Sequence, residues 1–184
     1  MNVFALHRDP KKAAQMMCDK HVIKMIIETC QILSAVMDKR YMKEYRGDNE
    51  LKPSEQLGLC GYPPAHVKHP STLWAMESKG NYVWLCKHLR ELNWQYHLRY
   101  GKFHKLNGNT MIYESQLQYL EFPKQKKTEF VQAITDKRWH RKDPIEAYRV
   151  YYNMEKFVFA KWKLGNVPEW YTGAPVYEVV LEAA

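Results

Sequence analysis

Over positions 10–38 apolar side chains recur around most of a helical circumference: Ala13, Met16, Val22, Ile23, Met25, Ile26, Ile27, Ile32, Leu33 and Val36 leave only a narrow polar strip. A helix apolar on nearly every side is stable only when the rest of the chain packs around it, so the sequence predicts an interior helix. Its start is written locally. Asp9 offers the N-cap oxygen, and Pro10 takes the first helical position, where its missing N–H removes no hydrogen bond. Ahead of it, residues 2–6 (NVFAL) form a short apolar segment with strand character, which needs a partner elsewhere in the chain.

Residues 46–70 hold Gly47, Pro53, Gly58, Gly61, Pro63, Pro64 and Pro70 and read as a long loop, too proline-rich for a helix. A loop of that length in a compact domain is often functional. Helical periodicity resumes at Pro70 and runs to Gly101, with Gly80 as a dividing point. Tyr82, Leu85, Cys86, Leu89, Leu92, Tyr96 and Leu98 make its buried stripe; Lys87, His88, Arg90, Trp94, His97 and Arg99 make its other side. Residues 110–120 suggest a further helix closed by Pro123, and Asp143-Pro144 repeats the first start signal for a helix predicted through Lys163, with Gly165 as its stop. The expected fold is a mainly α, single helical domain over 1–184: an N-terminal segment and buried helix (1–45), the loop (46–70), a helical body (71–165) and an aromatic, then apolar tail (166–184) that wraps back over the body.

Composition narrows the function classes. Apolar residues at 46% against 26% charged describe a globular chain. A chain of 184 residues buries roughly 70% of its unfolded surface, so neither a disulfide nor a metal staple is required. No apolar run approaches the ~18 residues that span a bilayer, and Arg8 and Asp9 come too early for a secretory signal; a cytoplasmic protein with no membrane partner is expected. Cys18, Cys30, Cys60 and Cys86 show no C-x-x-C spacing, and three of them fall in apolar helical patterns, which predicts small buried hydrophobes rather than a zinc knuckle or disulfide framework. Lys and Arg number 28 against 20 Asp and Glu, a net charge of +8 that favours a polyanionic partner. Aromatic residues, at 14%, supply stacking faces as well as core volume.

The polar strip of the first helix carries the most chemistry. His21, Lys24, Glu28 and Gln31 fall at i, i+3, i+7 and i+10, with Asp19 and Lys20 beside them. In a cleft, desolvation moves the Lys and Glu ionisations towards neutrality; the lysine then becomes an amine nucleophile for a carbonyl or a sugar C1′. Facing bulk water, Lys24 and Glu28 are only an i,i+4 pair. Asp19, His21, Lys24 and Glu28 are therefore the candidate catalytic residues: Lys24 as amine or proton donor, Glu28 or Asp19 as its carboxylate, His21 as acid or base. Lys68 and His69 adjoin the helix start at Pro70, where free N–H groups favour an anion; with Lys20, Arg99, Lys102 and His104 they are the candidate phosphate ligands. His66 and His69 lack a third group at ligand spacing, so no metal or other cofactor is expected. Two basic runs, RYGKFHK at 99–105 and KRWHRK at 137–142, mix cations with rings. Lys105, Arg138, Trp139, Arg141 and Lys142 form a candidate nucleic-acid clamp, with Trp139 or Phe103 stacking on an unpaired base.

Several blocks, DPKKAAQMMCDKHVIKMIIETCQILS, HPSTLWAMESKGNYVWL, RYGKFH and DPIEAYRVYYNMEKFVFAKWK, resemble a small family of bacteriophage-encoded proteins of unsettled role. The helix around Asp19 to Glu28, the turn Arg99-Tyr100-Gly101 and the tail Pro168-Glu169-Trp170-Tyr171 also resemble the phage pyrimidine-dimer DNA glycosylase/AP-lyase family of the endonuclease V type. That family is small, basic and helical, and its nucleophile is an α-amine exposed by removal of Met. Here Asn2 is bulky enough for Met1 to stay, and Val22 and Ile23 stand where an ungapped overlay puts the family's arginine and glutamate. Lyase chemistry would then pass to Lys24 or Lys20. The first expectation is a DNA-processing enzyme acting on a base or its glycosidic bond, which flips the base out at a cost of a few kcal/mol and reads it between aromatic rings such as Trp74, Trp84 or Trp139. The second is an enzyme acting on free nucleotides or nucleotide-like signals; the third is a non-catalytic binder of DNA or of a host protein.

Overall fold

The Asp9 carboxylate accepts from the Lys12 backbone N–H at 2.9 Å, and the first helix, α1 (Pro10–Gln15), begins at Pro10 as the cap implies. The computed structural model describes residues 1–46, 52–56 and 63–173. The remaining elements are α2 (Asp19–Arg40), α3 (Lys43–Arg46), α4 (Pro53–Gln56), α5 (Pro70–Glu77), α6 (Lys79–Tyr100), α7 (Asn109–Gln116) and α8 (Pro144–Tyr151). Short 3₁₀ turns follow α7 and precede α8, and a five-residue π turn, Tyr152–Lys156, extends α8. The fold is mainly α. Among the described residues no helix is long and apolar enough to cross a membrane.

The long first helix is not continuous. The chain leaves helical geometry after Gln15 and re-enters at Asp19, with Cys18 extended. Such a break leaves carbonyls without helical partners, and three distant side chains take them. Arg99 donates to Met17 O at 2.8 Å, Trp162 Nε1 to Met16 O at 3.1 Å and Asn166 Nδ2 to Gln15 O at 3.0 Å. The acceptors are local in sequence and the donors are 82 to 151 residues away, so no local periodicity signals the interruption. Beyond it α2 is interior as predicted: Val22, Met25, Ile26, Ile32, Leu33, Val36 and Met37 are all buried. Cys18, Cys30 and Cys86 are buried thiols; Cys60 lies outside the described residues.

The second helical region divides at Ser78, two residues before the glycine that marks it. Ser78 is extended and caps α6 by accepting from Asn81 N at 3.0 Å. Gly80 serves a different end. An added Cβ there would lie 2.3 Å from the Lys127 backbone nitrogen, so only a glycine lets the 124–128 segment lie against the start of α6. Lys79 N donates to Lys124 O at 2.9 Å and Gly80 N to Gln125 O at 3.0 Å across that contact. Gly101, at φ 66, ends α6 in the left-handed region.

Three other expectations are corrected. Residues 2–6 make no strand: Phe4 is at φ 48, Leu6 N closes a tight turn onto Phe4 O at 2.8 Å, and the Asn2 side chain takes up the Val3 and Phe4 N–H groups. The segment is nonetheless core, with Val3, Phe4, Ala5 and Leu6 buried. The proline-rich stretch is not all loop, because Pro53 sits at the start of the one-turn α4; positions 47–51 and 57–62 lie outside the described residues. Helix α8 stops short of Lys163. Its π turn ends at Lys156, and the chain is then drawn onto the start of α2, where Asp19 N donates to Lys161 O at 2.8 Å and Lys163 N to Asp19 Oδ2 at 3.0 Å. The tail does wrap back, Tyr171 lying 4.6 Å from Trp162 between ring centres; positions 174–184 are outside the described residues.

Candidate functional site

Five parts of the chain close around a cavity of about 450 Å³: the N-terminal segment (Met1, Asn2, Phe4), the first turns of α2 (Lys20, His21, Lys24), His69, the 133–135 strip, and the segment carrying Tyr151, Lys156 and Phe159. Each is brought there by a local cause. The Asn2 side chain donates to Ala133 O at 2.8 Å, tying the N-terminal segment to the strip. His69 caps α5 by accepting from Ser71 N through Nδ1 at 3.1 Å, so its proton sits on Nε2. In the π turn, residues five apart are stacked rather than splayed, and Lys156 Nζ donates to the Tyr151 hydroxyl at 2.8 Å while lying 4.1 Å from that ring's centre.

Glu28 gathers the amines. Its Oε1 lies 3.2 Å from Lys24 Nζ and 4.0 Å from the Met1 α-ammonium, and its Oε2 accepts from Asn2 N at 3.0 Å. The carboxylate is 13% exposed and the lysine 54%. One shielded carboxylate thus orients a lysine that can reach into the opening. Lys20, 5.1 Å above the Phe159 ring, and Lys156 add two more cations to the lining. The cavity therefore offers amines and His69 Nε2–H to an anion, and the faces of Tyr151 and Phe159 to a planar ring, Phe4 being buried against His21.

His21 is the buried member. It stacks on Phe4 at 4.3 Å and meets Phe159 and Tyr152 edge-on. Its Nδ1 shares a short hydrogen bond with the Tyr152 hydroxyl, which lies 3.9 Å from Cys18 Sγ. Burial, with Lys24 and Lys156 nearby, pulls the imidazole down to about 3, so it is neutral at pH 7. Burial also pushes Tyr152 and Cys18 above their ordinary ranges. When Tyr152 donates to Nδ1, the Nε2 proton faces the cavity; when Nδ1 donates, the phenol donates to Cys18 and Nε2 becomes an acceptor. A neutral histidine of this kind is a hydrogen-bond donor to the cavity in one tautomer and an acceptor in the other.

The same burial has a consequence for stability. His88, stacked on Trp84 and bonded through Nδ1 to Pro10 O, is held at about 4, again by desolvation. Both native values lie below the ordinary 6.5, so on acidification the unfolded chain binds protons before the native one does. Stability accordingly falls as pH drops below 6.5, by up to about 1.4 kcal/mol per pH unit for each histidine, until the native values are reached. Urea midpoints measured from pH 7 to 4.5 should show this slope, and His88→Gln should flatten it. A variant slope equal to that of the parent rejects the assignment.

The structure separates the other candidates. Arg99 and Asp19 are not at the cavity: the guanidinium is buried and bonds Asp19 at 3.0 Å, inside the α1–α2 break, where no phosphate reaches it. Lys68 is on an exposed turn outside the cavity lining. Trp139 is buried and donates to Glu155 at 2.9 Å, so it is not a stacking surface, and Trp74 and Trp84 are core. Arg138 pairs with Asp136 at 2.6 Å, and Arg141 donates to the Arg138 and His140 carbonyls. Lys102, Lys105 and Lys142 are exposed, and Phe103 is exposed on a stack with His97; His104 is half-buried against Tyr96. Sequence reading missed Tyr151, Lys156, Phe159 and Asn2. The first three were assigned to an unbroken helix, and the π turn that aims them has no periodic signature. Among the described residues no three His, Cys, Asp or Glu side chains gather as a metal site would need. No protein-family model, curated protein or solved structure matches the chain.

Proposed function

We propose that this chain is a DNA-processing enzyme that attacks the base–sugar bond of one nucleotide unit with an amine. The observation that carries the reading is the placement of Lys24 and the Met1 α-amine on one oxygen of Glu28, beside a neutral His21 in a cavity lined by cations and ring faces. Glu28 accepts the ammonium proton, the freed nitrogen attacks C1′, and the glycosidic bond breaks as the base leaves with its electron pair; neutral His21 hydrogen-bonds the departing base, water protonates it, and the resulting hydroxide takes the proton held by Glu28. Loss of a proton from nitrogen and ring opening give an imine, which water hydrolyses. The resemblance to the endonuclease V type supports the same chemistry, as does a net charge of +8.

The test is borohydride trapping on a duplex carrying one abasic site. A covalent adduct is expected, reduced at least tenfold in Lys24→Ala, with peptide mapping placing it on residue 24. An adduct that persists in the variant and maps to Met1 assigns the nucleophile to the α-amine; no adduct in the parent protein overturns the reading.

One observation favours a second reading, an enzyme acting on free nucleotides. Arg99, Arg138 and Arg141 are all satisfied by the chain's own acceptors, which leaves chiefly lysines for a backbone clamp. Binding to DNA through several phosphates weakens steeply with salt; affinity indifferent to strand length and nearly flat in salt would select the nucleotide.

A further inference from the structure

A second concavity, of about 800 Å³, lies between His7, α1, α6, Arg149 of α8 and residues 164–170 of the tail. None of the candidate residues from the sequence lines it. Arg149 is fixed at two points. Its Nε donates to Leu6 O at 3.1 Å, and its guanidinium lies 5.5 Å from the centre of the Trp170 ring. No described residue accepts from Nη1 or Nη2, so the free edge is a planar two-nitrogen fork with its orientation already set, the geometry that matches a phosphate or carboxylate.

Two more donors share the lining. His7 accepts from Asp9 N through Nδ1 at 2.9 Å, which leaves its proton on Nε2 with no described acceptor. Lys12 is exposed and has no ion pair among the described residues. Pro168, Val167, Leu164 and the Trp170 indole give an apolar wall, and Glu169 offers an acceptor to a ligand that also carries donors. An anion fork, a stacking indole and a lone acceptor together suit a phosphate attached to a heteroaromatic ring through a hydroxyl-bearing or amine-bearing unit.

We infer that this groove is a second binding site, for a nucleotide phosphate held by Arg149, His7 and Lys12 with its ring against Trp170. The site goes beyond the amine chemistry of the first cavity and does not depend on it. The two are nonetheless joined: Trp170 meets Tyr152 edge-on at 5.9 Å, and Tyr152 holds His21. The phosphate comes either from a free nucleotide or from a neighbouring unit of a strand entering the first cavity.

Calorimetric titration of the full chain with a 5′-deoxymononucleotide and, separately, with a short single-stranded oligodeoxynucleotide tests it. Arg149→Lys, which keeps the charge and loses the fork, and Lys12→Gln, at an exposed position that tolerates replacement, should each weaken one class of sites about tenfold. Lys24→Ala should leave that class untouched. A loss seen with both probes assigns the site to nucleotides in general, and a loss seen only with the oligonucleotide assigns it to a strand. If neither substitution changes binding of either probe, or if Lys24→Ala abolishes all binding, the second site does not exist, whatever the trapping experiment shows for the first.

Discussion

Replacing Arg99 with methionine is expected to lower the unfolding free energy by about 3–5 kcal/mol in urea denaturation, with little change in any DNA affinity. The Arg99 side chain is 0% exposed. It donates to Met17 O at 2.8 Å, Asp19 Oδ1 at 3.0 Å, Gln95 Oε1 at 3.3 Å and Gln15 O at 3.4 Å. Methionine fills much of the space of the stem and supplies no donor, so the substitution strands a mostly shielded carboxylate, the Met17 carbonyl and the buried Gln95 side-chain oxygen, while Gln15 O keeps its bond from Asn166. Desolvated acceptors left without donors account for the size of the effect. Adding Asp19→Asn removes the stranded charge and should recover part of the loss, so the two changes will not be additive. A variant as stable as the parent but with weakened, salt-dependent DNA binding would return Arg99 to the clamp that its sequence position implies.

Gly80→Ala is expected to cost about 2–4 kcal/mol, although alanine is the better helix former by about 1 kcal/mol. The new methyl would meet Lys127 N at 2.3 Å, Lys127 Cα at 2.7 Å and Lys126 C at 2.9 Å. All three are backbone atoms, so no side-chain rotamer relieves the clash. The 124–128 segment would have to move, breaking the Lys79–Lys124 and Gly80–Gln125 bonds and the pair of contacts between Asn81 and Thr128. For a chain of this size the melting temperature should fall by about 10 °C. Gly101→Ala is the control: it is strained by its φ of 66 yet has no atom within 4 Å, so it should cost about 1 kcal/mol. Equal effects at the two positions would show that close approach is not what the glycine at 80 provides.

Local signals in the chain were legible wherever cause and effect lie within a few residues. Asp9 and Asp143 each cap the helix that follows, and the first half of the polar strip of α2, His21 and Lys24, does open into a concavity with His69. What sequence could not reveal was settled by long-range partners. Arg99 looks like one more cation in a basic run until it is found among the carbonyls of residues 15 and 17. Trp139 looks like a stacking face until its ring is buried and its N–H reaches Glu155. Lys156 and Tyr151 were invisible as a pair because they are five residues apart, a spacing that places side chains on different faces of an ordinary helix.

That five-residue turn carries a further consequence. It contains one residue more than regular winding requires, so excising Asn153 would let α8 continue in register and rotate everything after it by about 100°. Tyr152 would keep its seat beside His21, while Lys156 and Phe159 would swing off the cavity wall. The same rotation would carry Lys161, Trp162 and Asn166 away from Asp19, Met16 and Gln15, so a deletion of one codon would undo the recess and the cover of the α1–α2 break together. In a lineage of such chains, the presence or absence of that supernumerary residue would tell the copies that keep the recess from those that have lost it.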